Sequence, residues 1–157
     1  MVHRNVVAVV EAASALGLEL EVRSFPAGTR TADEAAAAIG VSVGQIVKSL
    51  AFLVDGAVTM ALVSGSNRLD EQALAAVAGG ERCERADADA VRAATGFPIG
   101  GVPPFGHATA LPVFVDRDLL DHAEVWAAAG TPHDNFAIDP AALVRATGGT
   151  VADLARR

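Results

Sequence analysis

The chain predicts an α+β domain with helices interspersed among mostly antiparallel strands. Three observations carry this. Apolar runs at 46–54 and 57–63 flank Asp55-Gly56, a strong hairpin signal. Several short helical patterns open on capping residues, Thr31, Asp70, Asp87 and Asp139. The elements also lack the strict strand–helix alternation of a doubly wound sheet.

In chain order, Val6, Val7, Val9, Val10, Ala13 and Leu16 recur at helical spacing and Gly17 stops the helix. Residues 18–25 alternate with Glu19, Glu21 and Arg23 as a half-exposed strand. Thr31-Ala32-Asp33-Glu34 is a capping-box pattern before an alanine-rich helix that ends at Gly40. The 46–54 run reads as a buried strand, and 57–63 returns beside it after the Asp55-Gly56 turn. The polar loop 64–68 then falls at the Lys48 end of that hairpin. A helix from Asp70 through Val77, a polar edge strand at 81–85 and a helix over 88–94 follow. After a proline-glycine loop come strands at 111–116, 124–129 and 134–138, with a short helix or turn at 117–122. The last helix opens on Asp139-Pro140, which combines a cap with proline at the first helical position. Residues 151–154 form a short tail element.

Length and composition bound the function. With 157 residues, 52% hydrophobic and 20% charged, the chain is one folded domain over 1–157. The net charge of −7 disfavours non-specific binding along nucleic-acid backbones and gives no expectation of DNA as a partner. It leaves room for a local basic pocket that takes one nucleic-acid end. A single cysteine, Cys83, excludes an internal disulfide and fits a reducing, cytoplasmic compartment. No apolar stretch is long enough to span a membrane, and the N-terminus reads as no signal peptide.

Lys48 is the only lysine; the other eleven basic side chains are arginine. It shares a strand face with Ile46, Leu50, Phe52 and Val54, where it is the sole polar member. A buried charge needs compensation, so Lys48 either snorkels, pairs with a carboxylate or serves a ligand. An ammonium is a compact point charge that arginine does not replace. The stretch Gly96–His107 contains Pro98, Pro103 and Pro104 among Gly96, Gly100, Gly101 and Gly106. Such a stiff loop is either a structural crossover or a cradle presenting backbone N–H groups to a developing oxyanion. His107, at the loop's end, reads as a surface histidine, and His133 as a surface turn residue, a general acid/base or a substrate contact. No metal-ligand spacing, Walker loop, dinucleotide fingerprint or nucleophile elbow is present, so neither metal nor cofactor is expected. Cys83 has no evident base partner.

The capping-box helix, Gln45–Leu50, Gly100–His107 and Ala129–His133 together resemble the YbaK/EbsC group, the ProX-like editing domains associated with prolyl-tRNA synthetase. The resemblance covers roughly residues 20 to 155. It implies a mixed, mostly antiparallel, barrel-like sheet wrapped by helices. It also implies a free-standing hydrolase that removes a small wrong amino acid, such as alanine, cysteine, serine or threonine, from tRNA. The family lysine corresponds to Lys48 and its Gly-Pro loop to Gly100–Pro104, so Lys48, Gly100 and Gly101 are the expected catalytic residues. Ser49, Ser64, Pro103, Pro104, His107 and His133 are the expected substrate contacts. Some members carry asparagine where this chain has Ser49. The implied partner is an aminoacyl-tRNA acceptor end, with Arg30, Arg68 and Arg145 as candidate contacts and a synthetase as a second partner. An already activated ester needs no strong protein nucleophile, which fits the absence of a triad or metal motif. The alternative is a non-catalytic aminoacyl- or nucleotide-binding module, or a synthetase-associated one.

Overall fold

The computed structural model describes residues 2–157. The elements run α1 (Arg4–Ala15), β1 (Val22–Ser24), α2 (Ala32–Ile39), β2 (Val47–Val54), β3 (Ala57–Ser64), α3 (Glu71–Val77), β4 (Cys83–Arg85) and α4 (Ala88–Thr95). β5 (Val113–Asp116), β6 (Val125–Ala128), β7 (Asp134–Ile138), α5 (Pro140–Thr147) and β8 (Thr150–Ala152) complete the chain, with short 3₁₀ turns at Val43–Gln45 and Arg117–Asp121. The helices start where a side chain can satisfy an orphan backbone donor. Thr31 accepts from Glu34 N–H at 3.1 Å, Asp70 from Ala73 N–H at 3.1 Å and Asp87 from Ala90 N–H at 2.8 Å. Asp139 caps α5, whose first residue is Pro140.

The strands form two sheets, β4-β2-β3-β5-β8 and β1-β7-β6. Pairing is antiparallel except for β3–β5 and β5–β8, which are parallel. The fold is therefore α+β and mostly antiparallel, but neither sheet closes on itself. An isolated bridge between Ile46 and Trp126 links them. The strand expected over 18–25 is regular only at Val22–Ser24, because its partner β7 is short and pairs with just those residues.

β2 is covered on both faces, as its nearly continuous apolar run requires. Val47, Ala51 and Leu53 face the larger core, which holds Val9, Met60, Phe97, Val102, Phe105 and Phe136. Leu50, Phe52 and Val54 face a second cluster with Leu74 and Leu154. Lys48 belongs to this second face.

Candidate functional site

β2 has one fully paired edge and one interrupted edge. β3 pairs with it from Val47 to Val54. On the other edge β4 covers only Phe52–Val54, Ala86 N–H reaches Ala51 C=O at 3.2 Å, and the Trp126 bridge meets Ile46. Lys48–Leu50 is left open between them. Backbone groups alternate along a strand, so Ser49, two residues before Ala51, also turns its N–H and C=O toward this edge.

A cavity of about 320 Å³ fills the gap. That is at the small end of the range for small-ligand sites, roughly 300–1,000 Å³. Its walls are the open edge of β2, the entry to α2 (Thr29–Ala32), the start of α4 and the loop residues Ile99, Gly100 and Val102, with Asn135 at the back. Asn135 is buried and its amide donates to Thr29 Oγ1, which itself donates to Pro132 C=O at 3.2 Å. On the other side of Lys48 lies a wider groove of about 820 Å³, lined by Leu50, Phe52, Arg68, Asp70, Glu71, Arg85, Arg156 and Arg157. Lys48 lines both spaces.

Lys48 Nζ donates to Asn67 C=O, in the 64–68 loop that the hairpin brings beside it. The ion pairs among the described residues run from Arg117 and Arg157 to Asp118 and Asp153, so none involves Lys48. Burial lowers its pKa from 10.5; Asp116 opposes this, Arg68 adds to it, and Asp33 opposes it again. Asp116 is fully buried at the end of β5 and gathers donors. It accepts from Ser64 N–H at 3.1 Å, Asn67 Nδ2 at 2.9 Å and Asp118 N–H at 3.0 Å. The carboxylate thus fixes the loop whose carbonyl holds the ammonium.

Across the cavity, residues 98–101 form a turn in which Gly101 N–H donates to Pro98 C=O at 3.0 Å and Gly100 has φ +90°. This is type II geometry, which needs glycine at the third position. Gly101 serves packing: a Cβ there would lie 2.8 Å from Thr131 Cα and 2.9 Å from Gly130 C. The Gly100–His107 and Ala129–His133 stretches therefore meet backbone to backbone. Phe97, Val102 and Phe105 anchor the loop in the core, with Phe105 5.7 Å from Phe136 between ring centroids.

The structure brings together Lys48, Ser49 and Gly100, which all line the cavity. It does not bring the other expected site residues there. Gly101 is buried and its N–H is engaged with Pro98 C=O. Pro103 and Pro104 are buried behind the loop. His107 is half-buried and its Nε2 lies 2.7 Å from Pro103 C=O, bracing the loop from within. Burial lowers its pKa, partly offset by that hydrogen bond. Ser64 is buried at the end of β3, with Oγ donating to Gly44 C=O at 2.7 Å. His133 is exposed, its Nδ1 3.3 Å from Phe25 C=O. These residues support the walls because their polar atoms or surfaces are already committed. Ser49 differs from these: it lines the cavity and its Oγ is buried without a hydrogen-bond partner. Burial, with Glu71 and Glu84 nearby, raises the Cys83 thiol pKa, which disfavours the thiolate. Among the described residues no His, Cys, Asp or Glu cluster suits a metal, and no helix is long and apolar enough to cross a membrane.

Sequence reasoning missed Asp116, Asn135 and Thr29. Asp116 ends an apolar strand, and its full burial has no local signal.

A family model for the aminoacyl-tRNA editing domain matches residues 26–146. The chain belongs to that family. A solved structure whose suggested role is trans-editing for prolyl-tRNA synthetase matches at 46% identity and TM-score 0.94, over 100% of both chains. Uncharacterized protein YwhH of Bacillus subtilis (strain 168) is 30% identical over 125 residues, covering 80% of each chain. The proline–tRNA ligase of Nitratidesulfovibrio vulgaris (strain DP4) is 38% identical over 92 residues, 59% of this chain. The matched part is only 16% of that ligase, so the chain resembles one segment of it.

Proposed function

We propose that this protein is a trans-acting aminoacyl-tRNA deacylase. It hydrolyses the ester of a mischarged tRNA, with tRNA for proline or a similar acceptor as the carrier and a small amino acid, alanine, cysteine, serine or threonine, as the acyl group. The observation that carries this reading is an ammonium in no ion pair, lining both a cavity and the wider groove beside it. Its desolvation is unrewarded by any anion in contact, and an ester end with its phosphate would supply one.

In this reading the acyl group enters the cavity and Lys48 holds the terminal nucleotide. Water adds to the ester carbonyl, and the oxyanion that forms meets the Gly100 N–H. The C–O bond to the ribose then breaks, and the departing oxygen takes the proton lost by water. The products are a free amino acid and a free terminal hydroxyl. Ser49 presents main-chain groups to the substrate's amino or carbonyl group. Pro103, Pro104 and His107 stiffen the Gly100 wall, so the donor is in place before the charge develops. Ser64 and His133 act through the loops they brace. The cavity has room for a small acyl group, and rejection by side-chain size is a workable filter for a hydrolytic site. Arg30, whose Cγ packs 2.9 Å from where a Gly100 Cβ would sit, stands at the cavity rim.

The test is a panel of tRNAs charged with alanine, cysteine, serine, threonine and a bulky amino acid. Hydrolysis of one or more small esters well above background, with the bulky ester spared, is the expected result. Tight binding of charged tRNA without turnover would instead favour a non-catalytic module.

A further inference from the structure

The groove beside Lys48 is a basic strip on an acidic protein. The chain carries a net charge of −7, yet Lys48, Arg68, Arg85, Arg156 and Arg157 line this one groove, against Asp70 and Glu71. The acids are partly committed, since Asp70 caps α3 through Ala73 N–H. Arg157 is engaged with Asp118 and Asp153. Arg68, Arg85 and Arg156 are exposed and form no ion pair among the described residues. The strip is assembled from distant segments. Arg156 N–H donates to Arg68 C=O at 2.7 Å, and Leu69 bridges Ala155, so the chain's last residues are stitched to the loop after β3.

Arginines gathered in one groove repel one another, and the groove's two acids, Asp70 and Glu71, are outnumbered by its five basic residues. The groove shares Lys48, Leu50, Phe52 and Arg85 with the cavity, so the two spaces adjoin and the groove offers a path for a chain whose end sits in the cavity. We infer that this groove is a phosphodiester track: Arg68 and Arg156, with Arg85 at the mouth, bind successive phosphates of the nucleic-acid strand whose acylated end occupies the cavity. This rests on the deacylase reading and deepens it. It also accounts for how an acidic protein holds a polyanion, with the cations concentrated on one path.

The experiment pairs two esters of the same amino acid, one on full-length tRNA and one on adenosine alone, which has no upstream phosphate. The unaltered protein is compared with Arg68→Gln/Arg156→Gln and with Arg92→Gln, an exposed arginine of α4 that lines neither space. The double variant is expected to raise KM for the tRNA ester roughly tenfold, as loss of two exposed charge contacts implies, with kcat kept. The adenosine ester is expected to react as before, and Arg92→Gln to behave as unaltered protein on both. Binding of uncharged bulk tRNA gives a second readout. Each lost phosphate contact lowers the salt slope by about 0.7, so the double variant is expected to lose about 1.4. Equal KM and slope for the double variant and Arg92→Gln would overturn the track while leaving the deacylase reading intact. If the unaltered protein hydrolyses neither ester, the deacylase reading fails and the tRNA salt slope alone decides: a drop supports the track, an unchanged slope overturns it.

Discussion

On one side of the cavity Lys48 rests on the Asn67 carbonyl, and Asn67 hangs from the buried carboxylate of Asp116. On the other, Gly100 sits in a turn closed by Gly101 N–H, pressed against Gly130–Thr131 and braced by Pro103, Pro104 and His107. The first wall is positioned by charge and hydrogen bonds, the second by close backbone contact and restricted dihedrals. The difference teaches where each is vulnerable. The Lys48 wall fails when a charge is removed, and the Gly100 wall fails when an atom is added.

The largest effect separating the two is expected from Asp116→Ala, which strips the acceptor from Ser64 N–H, Asn67 Nδ2 and Asp118 N–H at once. Stability falls by about 3 kcal/mol in urea unfolding, because Ser64 N–H is left buried and unpaired while Asn67 and Asp118 N–H each lose an acceptor, Asn67 Nδ2 keeping Asp118 Oδ2 at 2.8 Å. A loss under 1 kcal/mol, about one ordinary hydrogen bond, would show that the network is not what fixes this wall. Next is Gly101→Ala, whose Cβ meets backbone rather than a flexible side chain. It costs about 1–3 kcal/mol and displaces the Gly100 turn, so deacylation drops while the salt slope of tRNA binding is unchanged. Full activity in this variant would mean that the backbone contact is slack.

Smaller effects concern pH. Asp116 raises the Lys48 pKa against the lowering by burial. Asp116→Asn keeps the shape and removes the charge, so the alkaline limb of kcat/KM, already below 10.5 in the unaltered protein, moves to lower pH still. Gly101→Ala leaves that limb where it was. For His107 the native pKa lies below 6.5, so the unfolded chain takes up a proton that the native ring resists. Stability therefore falls as pH drops from 6.5 toward the native value and levels off below it. His107→Gln removes that slope and costs about 1 kcal/mol at neutral pH, measured by thermal unfolding across pH.

The two walls also differ in how far the sequence announced them. Asp55-Gly56 with flanking apolar runs specified the β2–β3 hairpin, and from it the meeting of Lys48 with the 64–68 loop follows by geometry. The caps at Thr31, Asp70, Asp87 and Asp139 placed the helices because capping is local chemistry. Gly100 was legible as a turn glycine near the site. Gly101 was legible as necessary but not as to why, since its neighbour is thirty residues away in Gly130–Thr131. Ser64 is expected near Lys48 from the hairpin geometry, and His133 is expected as a contact because histidine ordinarily titrates near neutrality and from its place in the family pattern. The hydrogen bonds of Ser64 to Gly44 and of His133 to Phe25 are tertiary and invisible in the chain, whereas His107 folds back on Pro103 only four residues away. The gap in pairing along β2, which makes the cavity, depends on where β4 and Trp126 stop, and no local pattern encodes that.

The most direct measurement is single-turnover hydrolysis of a small aminoacyl-tRNA by the unaltered protein, Lys48→Ala and Lys48→Arg, with folding of each checked by circular dichroism. Both substitutions are expected to cut the rate about a hundredfold or more, since neither supplies a compact ammonium at the junction of cavity and groove. A folded Lys48→Ala protein that hydrolyses the ester at the unaltered rate would contradict the account.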